Sequence, residues 1–233
     1  KAEGVSQALD RLTYLSSLSH LRRVVLERVP EGKALLARRL HMSSYGFICP
    51  SETPSGGPKI GVVKNLAVLA SVSSGVSKEQ LVDLLYKKGV YKCKNVTYLN
   101  RKGMYQVYVN GVLLGFTNKP DDMYNDLLSM RRRGLIHHTV SLSVNRLNET
   151  LWISCGPGRL LRPLIRVKDG VPMIGETLAR LKKTVGTEHN LYSGTPFEGN
   201  SSVREGTGDI EEETPIELLD PWEIEQLFIA NYE

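Results

Sequence analysis

The stretch from Arg38 to Asn65, RRLHMSSYGFICPSETPSGGPKIGVVKN, decides how this chain is interpreted, because its order of residue types fits neither an ordinary core nor an ordinary surface. Two arginines precede a histidine, an aromatic–glycine pair, a Cys–Pro step, a Glu–Thr–Pro turn and a glycine-rich bend. Glycine and proline shape the path of the backbone, while guanidinium groups suit phosphate oxygens. The segment therefore indicates a shaped loop that approaches a polyanion.

Composition limits the class of protein. The chain has 233 residues, of which 41% are hydrophobic, so it can bury a core in one or two domains. No apolar run reaches the length of about 18 residues that a membrane span needs. The spacing of Cys49, Cys93 and Cys155 fits neither a zinc site nor a disulfide framework, which predicts reduced thiols in an intracellular protein. The start, KAEGVSQ, has no signal peptide and predicts a piece of a longer chain.

Charge is distributed unevenly along the chain. Residues 1–187 contain 29 basic and 13 acidic side chains, a net charge of +16, whereas residues 188–233 contain 1 basic and 12 acidic side chains, a net charge of −11. Such a division is typical of a body that faces a polyanion and an acidic end that faces elsewhere. Two solvated faces of a single domain would explain the same numbers, and charge alone leaves that alternative open.

The first part of the chain is predicted to be helical from about Val5 to Arg23. Its leucines recur every three residues, so an apolar stripe would drift around a helix of 3.6 residues per turn. We therefore expect the element to be broken near Tyr14–Ser17 or buried on more than one side. Pro30 and Gly32 predict an exposed loop over Glu27–Lys33.

The remainder of the chain is predicted to be rich in strands, which makes the fold class α+β. The predicted helices are Lys78–Lys88, with Ser77 and Gln80 as a capping box, Pro120–Arg133 and Glu176–Lys183. The predicted strands are Val96–Tyr98, Tyr105–Val109, Val112–Phe116, Val140–Val144, Leu151–Ser154 and Leu160–Val167, with a hairpin turn at Asn110–Gly111. Gly194–Thr214 is predicted to be a long loop or linker.

Motifs that could carry chemistry by themselves fail on inspection. Gly156-Pro157-Gly158 has leucine at the third glycine position of a dinucleotide fingerprint. The Ser55–Lys59 bend is not a phosphate-binding loop, because Pro58 removes a backbone donor, and it is interpreted as a structural turn. Adjacent His137 and His138 would point to opposite faces of a strand and would not share a metal. We predict no catalytic residue and no metal ligand in this chain.

The Arg38–Asn65 segment resembles the signature of the second-largest, β-like subunit of multisubunit DNA-directed RNA polymerases. That signature reads R-x-L-H-x-x-x-W/Y-G-x-x-C-P-x-E-T-P-E-G, followed by I-G-L-V-K-N-L. This chain departs from it at Pro54–Gly57, where PSGG replaces P-E-G. Further motifs of the family follow in the same order, namely VNG at 109–111, RRRG at 131–134 and GRLLRPL at 158–164.

The resemblance implies three regions. Residues 1–75 would be the fork region, a mixed helical part in which Glu27–Lys33 takes the place of the second fork loop and 62–70 forms a helix. Residues 76–187 would be a β-rich external domain with short helices, acting as a peripheral scaffold. Residues 188–233 would be an acidic linker and a return segment toward the hybrid-binding region.

The resemblance also implies a function and its residues. The chain would position template DNA and the RNA:DNA hybrid during transcription, as part of a nucleotidyltransferase, with no catalytic activity of its own. Glu52 would support the active centre. The side chains implied along the nucleic-acid path are Gln7, Asp10, His20, Arg22, Arg23, Lys33, Arg38 and Arg39.

Partners and cofactors follow from the same resemblance. The expected partners are the largest subunit, other polymerase subunits, template DNA and the RNA:DNA hybrid, with no membrane. No cofactor is expected on this chain, because Mg²⁺ would be held by aspartates of the largest subunit. Localisation would be intracellular, in nucleus or cytoplasm. The alternative is a free-standing basic nucleic-acid-binding module that uses the same cationic face.

Overall fold

The computed structural model describes residues 6–25, 35–97, 101–175, 202–203 and 214–230. They belong to two compact units, one within Lys1–Ala70 and the other within Ser71–Glu233. Helices and several sheets occur together, which confirms the predicted α+β class. Among the described residues, no helix has the length and apolar character needed to cross a membrane.

The first unit consists of short elements joined by turns. These are α1 (Tyr14–Leu21), β1 (Arg23–Val24), α2 (Leu35–Arg38), a 3-10 helix (Met42–Ser44) and β2 (Lys64–Asn65). β1 and β2 pair antiparallel, with Arg23 opposite Asn65. A bridge between Ile48 and Leu66 extends the contact, so the middle of the Arg38–Asn65 segment is joined to the chain that follows β2.

The predicted helix over Val5–Arg23 is wrong in its first half. Thr13 is extended and caps α1: its hydroxyl accepts the Ser16 N–H at 3.1 Å, while the Ser16 hydroxyl accepts the Thr13 N–H at 2.9 Å. This reciprocal pair satisfies backbone donors at a helix start, and residues 6–13 are not helical. The expected break therefore exists and lies at Thr13.

The helix implied for 62–70 is also wrong. Gly61 has φ +70°, which ends the preceding turn, and β-branched Val62 and Val63 are buried in the turn that leads into β2. The backbone then pairs with β1, and the Leu66 N–H donates to the Arg22 carbonyl at 2.9 Å. Strand pairing takes the hydrogen bonds that a helix would use.

The second unit is built on a five-stranded sheet in the order β4-β6-β5-β8-β7. Its strands are β4 (Tyr91–Lys92), β5 (Tyr105–Val109), β6 (Val112–Thr117), β7 (Ser141–Asn145) and β8 (Thr150–Ser154). All neighbours pair antiparallel except β5 and β8, which are parallel. Helices α3 (Glu79–Lys87) and α4 (Pro120–Arg132) supply Leu81, Leu85, Met123 and Leu127 to the core that includes Val107, Leu142 and Leu151.

A smaller sheet completes the second unit. Its order is β12-β9-β3, formed by Ile216–Leu219, Leu160–Ile165 and Ser71–Val72. A separate hairpin joins β10 (Val167–Lys168) to β11 (Val171–Pro172), and α5 (Pro221–Ile224) follows β12. The acidic last part of the chain therefore contributes a strand whose Leu218 and Leu219 are buried.

Most of the predicted strands and helices of this unit are confirmed, including the Asn110–Gly111 turn, where φ is 50° and 81°. The Ser77 capping box is wrong, because Lys78 occupies the N-cap without a side-chain bond and the Ser77 hydroxyl donates to Glu79 instead. A 3-10 helix (Cys93–Asn95) precedes Val96, and the predicted strand over Val96–Tyr98 is absent from its described part. The predictions for Glu27–Lys33 and Glu176–Lys183, and most of Gly194–Thr214, lie outside the described residues.

Candidate nucleic-acid interface

Glu52 joins the signature segment to α1 through a polar cluster. Its carboxylate accepts a hydrogen bond from the Ser19 hydroxyl. The Asn65 side-chain amide, itself buried, donates to the Ser19 carbonyl at 2.8 Å and to the Ser19 hydroxyl oxygen at 2.9 Å. Three segments that are distant in sequence thus share one cluster. Glu52 is exposed, and its contacts support the local fold around Ser19.

Gln7, Asp10 and His20 are brought together beside α1. The Asp10 N–H donates to His20 Nδ1 at 3.1 Å, so the hydrogen of the neutral ring is on Nε2, which lies 3.0 Å from the Gln7 side-chain oxygen. The Asp10 carboxylate accepts the Leu12 N–H at 2.9 Å. These bonds hold residues 7–12 against the helix, and the exposed Asp10 presents negative charge on the implied nucleic-acid path.

Arg22 is used by the protein itself. Its Nη2 donates to the Ala67 carbonyl at 2.7 Å and to the Ala70 carbonyl at 2.8 Å, and the side chain is half-buried. Bonds from a charged donor to two carbonyls are stronger than neutral ones. Arg22 therefore closes the turn after β2.

Arg38 makes the same kind of contact at the glycine bend. Its Nη1 donates to the Pro58 carbonyl at 2.8 Å and to the Ile60 carbonyl at 2.6 Å. A Cβ on Gly61 would lie 2.8 Å from the Arg38 carbonyl oxygen, so only glycine allows this approach. The Thr53 hydroxyl closes the bend from the other side, accepting the Gly61 N–H at 2.8 Å and donating to the Val63 carbonyl at 3.0 Å.

Arg23 and Arg39 differ from the arginines that precede them. Both are exposed, and neither forms an ion pair or side-chain hydrogen bond with a described residue. Each pair of arginines thus consists of one guanidinium tied to backbone carbonyls and one that faces solvent. Lys33, the remaining residue implied along this path, lies outside the described residues.

Sequence reasoning missed the roles of Thr53 and Lys64. Lys64 Nζ donates to the Ala37 carbonyl at 3.2 Å, which connects α2 to β2. The Ser51 backbone and hydroxyl hydrogen-bond the Cys49 sulfur and lower the pKa of that thiol. The only signal in the sequence for the Thr53–Val63 and Lys64–Ala37 contacts is the family motif, because these partners are 10 and 27 residues apart.

A buried ion network in the second unit was also missed. Arg131 on α4 forms a bidentate pair with Glu223, at 2.6 and 3.0 Å, and a further bond to Glu217 at 3.1 Å. Glu217 also accepts from Arg132 at 2.5 Å. Burial lowers the pKa of Arg131, but the two carboxylates outweigh this effect and raise the pKa above its usual value. The network fixes β12 and α5 to α4, so the RRRG motif has a structural role.

The other family motifs of the second unit are structural too. The Asn110 side-chain oxygen accepts the N–H groups of Cys155 and Gly156 at 2.8 and 3.1 Å. Arg159 donates to the Gly156 carbonyl at 3.0 Å and to the Thr139 carbonyl at 2.7 Å.

The adjacent histidines do not lie on a strand as assumed. They occupy a turn, where the rings of His137 and His138 stack with centroids 4.3 Å apart. Within the described part of the chain, no group of three or more His, Cys, Asp or Glu side chains is arranged to hold a metal.

Two family models match the chain. The model described as RNA polymerase Rpb2, domain 3, matches residues 7–72, and the model described as RNA polymerase Rpb2, domain 4, matches residues 107–168. The first match covers the cluster around Glu52 and both arginine pairs. The second covers most of the five-stranded sheet and the motifs at Asn110, Arg131 and Arg159.

Three related proteins illustrate the similarity, and each aligns with most of this chain. The DNA-directed RNA polymerase subunit Rpo2 of Sulfolobus acidocaldarius is 37% identical over 77% of this chain, which spans 17% of the relative. The RNA polymerase II subunit RPB2 of Meyerozyma guilliermondii is 32% identical over 97% of the chain and 19% of the relative. The RNA polymerase subunit 2 of Acanthamoeba polyphaga mimivirus is 34% identical over 72% of the chain and 14% of the relative. The chain spans less than a fifth of these relatives, and it belongs to the family of second-largest subunits of DNA-directed RNA polymerases.

Proposed function

We propose that this chain works within a DNA-directed RNA polymerase, where its first unit positions template DNA and the RNA:DNA hybrid and braces the active centre. The proposal rests on one observation, the different contacts made by the two arginines of each pair. Arg22 and Arg38 hold the backbone through carbonyl oxygens, while Arg23 and Arg39 present guanidinium groups that no described residue binds.

This difference matters because positioning a nucleic acid needs a rigid protein backbone as well as positive charge. A flexible arginine loses side-chain entropy when it binds a phosphate, whereas a guanidinium on a fixed backbone loses less. Arg23 lies in β1, opposite Asn65, whose side chain belongs to the Glu52 cluster. Arg39 directly follows Arg38 at the braced bend. Both free groups are therefore mounted on backbone that neighbouring side chains fix.

Glu52 acts through Ser19 in this proposal. Its carboxylate accepts from the Ser19 hydroxyl, which in turn accepts from Asn65, so it stabilises the junction from which Arg23 projects. It is a positioning residue. The proposed partners are the largest subunit and the other polymerase subunits, in the nucleus or cytoplasm, and Mg²⁺ is assigned to the largest subunit, so no step on this chain is derived through it.

The test compares the two members of each pair in polymerase assembled with a second-largest subunit that carries this sequence. In the Arg23→Ala and Arg39→Ala variants, the association constant of the elongation complex should depend less steeply on salt. The slope of its logarithm against the logarithm of the salt concentration should flatten by about 0.9 per lost phosphate contact. Arg22→Ala and Arg38→Ala should instead reduce the stability of the first unit while each free arginine is retained.

Lys168→Ala, an exposed lysine on β10, is the control and should leave the salt slope unchanged. If neither Arg23→Ala nor Arg39→Ala changes the salt slope, the proposal is contradicted. The alternative of a free-standing module has less support, since the relatives named above are polymerase subunits.

A further inference from the structure

The five-stranded sheet of the second unit has two different faces. One face packs on α3 and α4 through Val107, Leu151 and their neighbours. The other face carries aromatic rings, because residues alternate along a strand and directly opposed residues share a face. The register places Tyr91 opposite Phe116, Phe116 opposite Gln106, and Tyr108 opposite Trp152. We call Tyr91, Phe116, Tyr108 and Trp152, together with Trp222 of α5, the aromatic face.

Three rings of the aromatic face, those of Tyr108, Trp152 and Trp222, are nearly parallel. Tyr108 and Trp152 stack with centroids 4.5 Å apart and planes 10° apart. Trp222 lies beyond Trp152, at 6.5 Å between centroids and 13° between planes. Trp152 is 39% exposed, Trp222 70% and Tyr91 45%. The rings of Trp152, Trp222 and Tyr91 are thus accessible to a ligand on the face opposite α3 and α4, whereas the Phe116 ring is buried.

The polar edges of two of these rings are already occupied. The Tyr108 hydroxyl donates to the Gln106 side-chain oxygen at 2.7 Å, and the Trp152 indole N–H donates to the Thr150 hydroxyl at 3.1 Å. These bonds fix the ring orientations before anything binds. Because Trp152 already stacks with Tyr108 and Trp222, a ligand would use the exposed flat side of Trp222, as a stacked base does.

The edge of the same sheet is strongly basic. Residues 84–120 contain seven basic side chains and no acidic one: Lys87, Lys88, Lys92, Lys94, Arg101, Lys102 and Lys119. The Arg101 guanidinium lies over the Phe116 ring at 5.1 Å, which places this cation on the aromatic face. Lys94 and Lys102 are exposed and form no ion pair with a described carboxylate.

The carboxylates near this edge are paired, buried or on other elements, and the exposed Asp83 and Asp122 lie on α3 and α4. Asp126 pairs with Lys88 and Asp121 with Arg146, while Glu217 and Glu223 are buried in the Arg131 network. The exposed Glu149 and Glu225 belong to the β7–β8 turn and the segment after α5, and β7 is the opposite edge of the sheet. The positive potential is thus concentrated at the β4 side of the aromatic face.

We propose that the aromatic face is a binding site for single-stranded nucleic acid, with an unpaired base stacking on Trp222 at the end of the row of rings and phosphates contacting Arg101, Lys94 and Lys102. Proteins that bind single-stranded nucleic acid without sequence preference combine aromatic rings, on which bases stack, with cations that contact the phosphate backbone. A duplex does not fit, because its bases are stacked internally. The site goes beyond the function proposed above, which places nucleic-acid contacts in the first unit.

The test uses polymerase assembled with a second-largest subunit that carries this sequence, in elongation complexes. 5-Iodouracil is placed at successive positions of the RNA in one arm and of the non-template DNA strand in the other, and photo-crosslinked peptides are identified by mass spectrometry. The expected result is a crosslink to the peptide containing Trp152 or Trp222 in one arm, which also identifies the strand. No such crosslink at any position of either strand would overturn the proposal.

Two sets of variants sharpen the test. Trp222→Leu removes an exposed ring and should lower the crosslink yield roughly 5- to 150-fold, the loss expected for one stacked base. Lys94→Gln with Lys102→Gln should weaken the crosslink and make its yield less sensitive to salt, whereas Lys168→Gln should change neither. Yields that are equal in all variants would refute the site.

A protein partner on the same face gives a different outcome. If Trp152 and Trp222 are protected from oxidation by N-bromosuccinimide in polymerase that holds no nucleic acid, another protein surface covers the rings and the proposal fails. The salt slopes of Arg23→Ala and Arg39→Ala are independent of these rings, so failure of this site and failure of the proposed function are distinguishable.

Discussion

The two units of this chain are stabilised by different means. Among the described residues, the first unit buries four hydrophobic side chains, namely Phe47, Val62, Val63 and Ala70, whereas the second buries seventeen. The first is held by side chains that bond to backbone carbonyls, as Arg22, Arg38 and Lys64 do. The second has a continuous apolar core and a buried ion network.

The comparison teaches where each unit is sensitive. An apolar core loses stability when volume is removed or a charge is left unpaired, whereas a carbonyl-braced loop depends on a few directional bonds and on glycine geometry. Leu12, Leu15 and Leu21 are mostly exposed, so the leucine repeat adds little core to the first unit. Substitutions should therefore act through different mechanisms in the two units.

The largest expected effect is in the second unit. Glu223→Ala removes the bidentate partner of Arg131, which is buried, and leaves only Glu217 to balance its charge. Breaking a buried pair costs about 3–5 kcal/mol, so the free energy of unfolding of the 233-residue chain should fall by that order. Urea denaturation, followed by tryptophan fluorescence, measures the change.

Asp121→Ala is the matched control, because its ion pair with Arg146 is exposed and should contribute little. If the two variants unfold at the same urea concentration, the buried network does not stabilise the second unit.

A smaller effect is expected in the first unit for Gly61→Ala. Gly61 has φ +70°, and a Cβ there would lie 2.8 Å from the Arg38 carbonyl oxygen. The left-handed conformation alone costs a non-glycine residue about 1–2 kcal/mol. Limited proteolysis should therefore cut the 50–66 region faster. Gly56→Ala, whose Cβ would meet nothing within 4 Å, should be cleaved at the wild-type rate, and equal rates in both variants would show that the bend is not constrained.

The smallest effect concerns pH. Burial, the neighbouring His138 and the Arg159 guanidinium lower the pKa of His137 to about 4, and its Nδ1 accepts the Thr139 N–H. The unfolded chain takes up this proton near pH 6.5, so the stability from neutral His137 is present above about pH 6.5 and is lost as pH falls toward about 4. The thermal midpoint should be lower at pH 5 than at pH 7.

His137→Asn, whose side-chain oxygen can also accept the Thr139 N–H, should reduce the difference between the two midpoints. Part of the difference should persist, because burial also lowers the pKa of His138. If the midpoint difference is as large in the variant as in the natural chain, His137 does not cause the pH dependence of the thermal midpoint.

The sequence predicted the second unit better than the first. The strands around Asn110–Gly111 and the helix that begins at Pro120 were placed correctly, because turn residues and alternation act locally. The first half of the helix expected over Val5–Arg23 and the whole helix implied for 62–70 are absent, since α1 begins only after Thr13 and the chain after Gly61 pairs with β1. At the candidate site, the arginines were found, but their division into braced and exposed members was not.

The sequence by itself determined the family, the α+β class and the cationic residues, because motifs, alternation and charge are properties of the chain order. Only the tertiary structure decided which guanidinium groups remain available to bind a phosphate. Arg22 meets carbonyls 45 and 48 residues away, and Arg131 meets carboxylates 86 and 92 residues away. No local pattern encodes those distances, since only the folded backbone brings the acceptors within reach.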